Sequence, residues 1–162
     1  MHSKIFQVSN KPISEDEYAS PLRYSDNSSD FADYIGDPYN GVEREEAIGY
    51  LSDLLEDVFE HKGGGEFAYK GQSALTAFKK KWALELLRPA GMLTPDNLFK
   101  EQNLFRIRKT TEETHLRSSY RVDIKDWCDG IAYPFGELFE YADSKLKKGD
   151  CIYIGAVIDY HF

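Results

Sequence analysis

Residues Cys151 to Phe162 read CIYIGAVIDYHF, a run in which β-branched and aromatic side chains nearly exclude charge. Its composition suits a pleated, buried strand better than a helix. A buried strand requires a sheet around it, and other strand patterns occur along the chain. Lys4 to Ser9 (KIFQVS) sets Ile5 and Val8 among polar residues in imperfect alternation, as a short strand would. Glu66 to Lys70 (EFAYK) alternates in the same way, and Tyr120, Val122 and Ile124 alternate with Arg121 and Asp123.

The cover for these strands comes from helical patterns. From about Val42 to His61, the residues Ala47, Ile48, Leu51, Leu54, Leu55, Val58 and Phe59 fall on one face at 100° per residue, with Glu45, Glu46, Asp53, Glu56, Asp57 and Glu60 opposite. Asn40 is the expected N-cap, and Gly63-Gly64-Gly65 the expected stop. A second helix is predicted from Gln72 to Arg88, with Leu75, Phe78, Trp82 and Leu86 inward and Pro89 just beyond its end. A third follows the Asp129-Gly130 turn, from Pro134 to Leu146, and Lys148-Gly149-Asp150 closes it. Thr94-Pro95 opens a segment through Arg108 that suits a helix start, yet Arg106 to Arg108 also alternate, so helix and strand both remain open for 97–116.

These elements predict an α+β fold in a single domain over 1–162. One mainly antiparallel sheet contains the N- and C-terminal strands and packs on one face against the amphipathic helices around Leu51 and Phe78. Residues 10–41 are different in character, rich in Ser, Asp, Asn and Pro and punctuated by Tyr18, Tyr24, Phe31, Tyr34 and Tyr39. The expectation is an irregular segment of short helices and loops wrapped on the body, with Ser14 and Glu17 forming a capping box and Ser29 capping a turn.

Charge is segregated along the chain. Residues 1–60 carry 14 acids and 4 bases, 61–122 carry 12 bases and 6 acids, and the overall net charge is −8. This balance opposes non-specific binding to nucleic acid or to an anionic membrane. No run of eighteen apolar residues occurs, and the N-terminus reaches Gln7 and Asn10 too soon for a secretory apolar region, so a cytoplasmic protein is expected. Cys128 and Cys151 are too few for a disulfide framework and lack zinc-ligand spacing.

Several chemical motifs fail on their own requirements. Gly63, Gly65 and Ala68 satisfy the spacing of a dinucleotide fingerprint but follow a helix and precede a strand, the reverse of the order that brings pyrophosphate to a helix N-terminus. In Gly65 to Ser73, Lys70 stands before Gly71 where a phosphate cradle needs it after. Cys128 could act as a nucleophile only with a histidine such as His61, His115 or His161, and the nearby Asp123, Asp126 and Asp129 disfavour its thiolate; Cys151 reads as core. Asp159 and His161 share one strand face by their spacing and could contribute to a metal or acid–base site with a third group. The acids from Glu15 to Asp37 lack the calcium-loop pattern. Lys79, Lys80 and Lys81 fan out around a helix, whereas Arg106, Arg108, Arg117 and Arg121 would form one patch if both segments were strands facing alike. The expectation is therefore no catalytic residue, no cofactor and no resident metal.

What remains is a surface. Tyr18, Tyr24, Tyr34, Tyr39, Glu46, Asp53, Asp57 and Glu60 mark an acidic, tyrosine-rich region suited to another protein, because tyrosine buries area while keeping a polar tip. The expected role is a non-enzymatic accessory or regulatory protein with a protein partner, or one that self-associates through its opposite patches. One alternative is a DNA-mimicking inhibitor, since Glu46, Asp53, Asp57 and Glu60 on a continuous helix would make a stripe of roughly 21 Å, extended by Asp26 to Asp37. The other is a small enzyme or metal-binding protein using Cys128 or the Asp159 and His161 pair.

The two chain ends, Lys4 to Ser9 and Tyr153-Ile154-Gly155 through Ile158-Asp159-Tyr160-His161-Phe162, resemble those of a group of small bacterial proteins. Asp33-Tyr34-Ile35 and Phe139-Glu140-Tyr141-Ala142 are similar in style. The resemblance covers about a quarter of the chain by these short, structural matches. It implies bacterial origin and carries no activity and no site residue.

Overall fold

The computed structural model describes residues 2–25, 32–97, 99–113, 119–128 and 130–161. Asp26, Ser29, Phe31, His115, Arg117, Asp129 and Phe162, all named above, lie outside the described residues. The chain begins with strand β1 (His2–Ser9), a 3-10 turn (Glu15–Glu17), the short helix α1 (Leu22–Ser25) and β2 (Tyr34–Pro38). Then come α2 (Gly41–Leu55), β3 (Phe59–Gly63), β4 (Glu66–Tyr69), α3 (Gln72–Gly91) and α4 (Glu101–Glu113). The last elements are β5 (Arg121–Ile124), β6 (Tyr133–Pro134), α5 (Glu137–Lys145) and β7 (Cys151–His161).

Among the described residues seven strands form one sheet: six follow the order β3-β4-β7-β1-β5-β6, and β2 pairs with β7 off that path. The C-terminal strand β7 is its axis, as its composition requires. One edge pairs along its length with β1, and the other is shared between β4 at its start and β2 at its end. Every pairing is antiparallel except β1 with β5, so the fold is α+β with a mainly antiparallel sheet that includes both terminal strands. Helices α2, α3 and α5 cover one face through Ile48, Leu51, Leu55, Leu75, Phe78, Leu138 and Phe139, which pack with Phe6, Val8, Val122, Ile124, Ile152, Ile154 and Val157. Helices α3 and α4 pack on each other, and Leu84, Leu87, Leu104 and Phe105 on that hairpin remain exposed.

The second face is covered as well, which the helix patterns alone do not predict. Residues 18–35 supply Tyr18, Ala19, Tyr24, Ala32 and Ile35 against Ile5, Ala132, Ala156, Ile158 and Tyr160. The 10–41 segment is thus a second apolar layer, and it also contributes a strand, β2, rather than being irregular throughout.

A bulge lets β7 serve both layers. Phe6 pairs with Val157 but Val8 pairs with Ile154, so Gly155 and Ala156 together oppose Gln7 alone. Before the bulge Ile152 and Ile154 face the helices, and after it Val157 does, while Ala156, Ile158 and Tyr160 face the second layer. Glycine is required at Gly155 because a Cβ there would stand 2.6 Å from Gln7 Oε1 and 2.9 Å from Ile13 Cδ1.

Several boundaries differ from the predicted ones. The helix expected to reach His61 ends at Leu55, and Phe59–Gly63 is a strand. Val58 and Phe59 are buried on either reading, so apolar spacing does not separate them. The hairpin adds cross-strand hydrogen bonds with β4, and Gly63 (φ 114°) and Gly64 (φ 54°) make its tip instead of a helix stop. Pro89 lies inside α3, which runs on to Gly91, because in an exposed last turn its missing N–H forfeits only one helical bond. Residues 101–113 are helical, so 97–116 is not a strand where described. Helix α5 starts at Glu137, since Tyr133 and Pro134 pair with β5 on the sheet edge, where proline is tolerated.

Candidate functional site

The second layer is fastened to the sheet by one buried amide. Gln7 Oε1 accepts from Ala19 N (2.9 Å) and Ala156 N (3.0 Å), and Gln7 Nε2 donates to the Glu17 carbonyl (3.1 Å). The 3-10 turn is held by the Glu17 carboxylate, which accepts from Ser14 N, the reach-back bond of the predicted capping box, and also from Ser14 Oγ. The chain from Lys11 to Pro21 thereby crosses the sheet as a strap, with a cleft on either side.

The first cleft is an open groove of about 840 Å³. Tyr18 and Tyr39 stand in its walls, with Glu15, Asp37 and Glu45 exposed around it. Arg44 lies in the lining but is committed inward. Its Nε and Nη2 donate to the carbonyls of Gly155 (3.0 Å) and Ile154 (2.6 Å), and its guanidinium sits 5.4 Å from the Tyr18 ring centre. Tyr39 N donates to Val157 O (2.7 Å), and its hydroxyl donates to Asp159 Oδ1 (3.2 Å). Burial, helped by the Asp159 charge, pushes the Tyr39 phenol up to about 12. Glu15, Asp37 and Glu45 form no ion pair among the described residues.

The second cleft, about 550 Å³, lies on the other side of the strap at the carboxyl ends of β1 and β5. Asp123 is 1% exposed there and accepts at Oδ2 from Tyr24 Oη (2.8 Å) and Arg23 Nε (3.1 Å). Burial raises the Asp123 pKa, while the Tyr24 hydrogen bond and the Arg23 charge pull against that rise. Burial and the Asp123 carboxylate in turn push the Tyr24 phenol far above its ordinary range.

The eight surface residues expected from sequence are not gathered in one place. Tyr18 and Tyr39 meet across the groove. Tyr34 is 61% exposed at the far end of β2, opposite His161. Tyr24 is no surface residue at all: it is 1% exposed, because its hydroxyl finds the buried carboxylate of Asp123 on β5. Glu46 and Asp53 are exposed on α2, but Asp57 follows the helix and pairs with Lys81 (2.8 Å), and Glu60 is on β3 and pairs with Lys62 (2.8 Å). The four acids therefore do not form one helical stripe.

The candidate chemistry disperses in the same way. Cys128 is 1% exposed in the helix-side core, and Cys151, expected in the core, is only half-buried at the start of β7. Asp159 and His161 do share a face, yet Asp159 is taken by His2 Nδ1 (2.8 Å) and Tyr39, and His161 Nδ1 faces Asp33 at 3.8 Å. Among the described residues no three histidine, cysteine or acidic side chains converge as metal ligands. Arg106 and Arg108 are on α4 and Arg121 is on β5, where its Nη1 donates to Ala132 O, so the arginines do not share strand faces. Lys79 is drawn to Glu140 (3.3 Å) and Asp143 (2.9 Å). No described helix is long and apolar enough to cross a membrane.

Sequence reasoning missed Gln7, Arg23, Arg44 and Asp123. The available signal was a polar residue in the middle of an apolar strand, at Gln7 and Asp123, and a lone base among the acids opening α2, at Arg44. No protein-family model, curated protein or solved structure matches the chain.

Proposed function

We propose that the protein is a non-enzymatic binding protein, and that the groove between Tyr18 and Tyr39 receives a basic segment of a partner protein. The observation that carries this reading is the state of the charges. The one base in the lining, Arg44, is spent on two backbone carbonyls, whereas Glu15, Asp37 and Glu45 around the groove are exposed and unpaired among the described residues. A cationic chain entering there gains complementary charge at the rim and two tyrosine surfaces already held in place by their own contacts. The DNA-mimic alternative has less support, because Asp57 and Glu60 leave the helix and each is matched by a lysine. A cytoplasmic setting accords with a sequence holding two cysteines, too few for a disulfide framework.

The test compares proteins retained by the tagged chain and by a Glu15→Lys/Asp37→Lys variant, at low and high salt. The groove reading expects partners rich in Lys and Arg that are lost in the variant and weakened by salt, with an unchanged melting temperature. Retention of the same proteins by the variant would refute it.

A further inference from the structure

The second cleft supports a separate assignment. Strands β1 and β5 are parallel neighbours, with Gln7 beside Asp123. Beyond their carboxyl ends the chain diverges, one branch entering the strap and the other turning through Lys125 to Cys128, and the space between them is the cavity. Both polar atoms of Gln7 are engaged in fastening the strap. Those of Asp123 are not. Its Oδ2 has two donors, but its Oδ1 is buried and has no hydrogen-bond partner among the described residues. A buried carboxylate oxygen without a donor is destabilising, and more so when charged.

The charges around it balance. Lys11, Arg23 and Lys125 face Glu17, Asp123 and Asp126. Arg23 is held by Asp123, and Lys125 stands 3.9 Å from Glu17, leaving Lys11 and Asp126 without ion-pair partners among the described residues. Ser9 Oγ accepts from Lys11 N (3.1 Å), which leaves its hydroxyl proton free to donate. Asp126 has φ 64°, a strained conformation for a non-glycine residue, at the edge of the same cavity.

From this arrangement we propose that the cavity at the ends of β1 and β5 binds a small zwitterion of the α-amino acid type. The ligand's ammonium supplies the donors that Asp123 Oδ1 lacks. Its carboxylate lies toward Lys11 and the Ser9 hydroxyl. A simple anion would leave the buried carboxylate unanswered, and a simple cation would leave Lys11 so. The site is independent of the tyrosine groove, which lies across the strap.

Isothermal titration calorimetry of the full chain at neutral pH, run with each of the proteinogenic amino acids, tests this, with acetate and methylammonium as probes bearing one charge each. At least one amino acid is expected to bind at concentrations up to about 10 mM, where neither single-charge probe does. Asp123→Asn should weaken that binding by about tenfold or more while remaining folded, and Lys11→Ala, at an exposed position, should weaken it several-fold. Binding of none of the amino acids, or equal binding by Asp123→Asn, overturns the proposal. If Asp123→Asn fails to fold, Lys11→Ala decides, and unchanged affinity in that variant is the overturning result.

Discussion

Replacing Gln7 by Met keeps the length and volume of the side chain and removes only its amide. Two buried N–H groups, those of Ala19 and Ala156, then lose their acceptor, and the Glu17 carbonyl loses a donor. Methionine sulfur is too weak an acceptor to replace the amide oxygen. Each stranded buried N–H costs about 1–3 kcal/mol, and the partly exposed carbonyl adds up to about 1 kcal/mol, so the expected loss is roughly 2–7 kcal/mol. Set against a total stability of about 5–15 kcal/mol for a domain, that is enough to unfold a marginal protein. Urea denaturation, followed by fluorescence of Trp82 and Trp127 in the helix-side layer, gives the magnitude. Hydrogen exchange at Ala19 and Ala156 gives its location, because both amides should lose protection before the helix-side core does. Gln7→Glu is the control for chemistry rather than size. A protonated carboxyl restores an acceptor and a donor, whereas the buried carboxylate raises its own pKa in the folded state, so this variant should regain stability as pH falls through the glutamate range. A Gln7→Met protein within about 1 kcal/mol of the parent, with both amides still protected, would refute the claim that this side chain fastens the second layer.

Three further outcomes follow from the same contacts. Gly155→Ala places a Cβ 2.6 Å from an oxygen already fixed by two hydrogen bonds, so it should cost about 2–4 kcal/mol in thermal denaturation, and a neutral effect would mean the bulge can flatten. Because burial raises the Asp123 pKa, folding binds its proton more tightly, and its contribution to stability is full below the unfolded value of 3.8 and is lost as pH rises through the folded value. Asp123→Asn should therefore melt higher than the parent above that window by about 1 kcal/mol equivalent and match it at the acid end; no gain at neutral pH would show that Tyr24 and Arg23 already offset the burial. A thiol reagent should modify Cys151 alone in the folded protein, slowly near neutral pH because burial and Glu66 raise its thiol, and Cys128 only after unfolding; early labelling of Cys128 would contradict its burial.

How far the fold was legible depended on how local its causes were. CIYIGAVIDYHF could be read as a buried strand because a long apolar, β-branched run has few other stable uses. The end of α2 could not be read, because Val58 and Phe59 fit the helical spacing and the strand equally. The choice was made by pairing with β4, which itself depends on β7. The parallel β1–β5 pair joins residues more than a hundred positions apart, beyond the reach of any periodicity.

The candidate site shows the same division more sharply, since a ligand-binding surface is defined by which charges are left over. Composition marked an acidic, tyrosine-rich region, but it counted Asp57 and Glu60 as available when each faces a lysine, and Tyr24 as exposed when its hydroxyl meets Asp123 from 99 positions away. Conversely, Gln7 and Asp123 were visible in sequence as polar residues inside strands, an anomaly whose meaning could not be decided without their partners. One has its oxygen satisfied twice over and is structural, and the other keeps a buried oxygen with no donor among the described residues. Two polar interruptions in adjacent strands therefore have opposite consequences, and the difference is set by three hydrogen bonds that only the folded chain brings together.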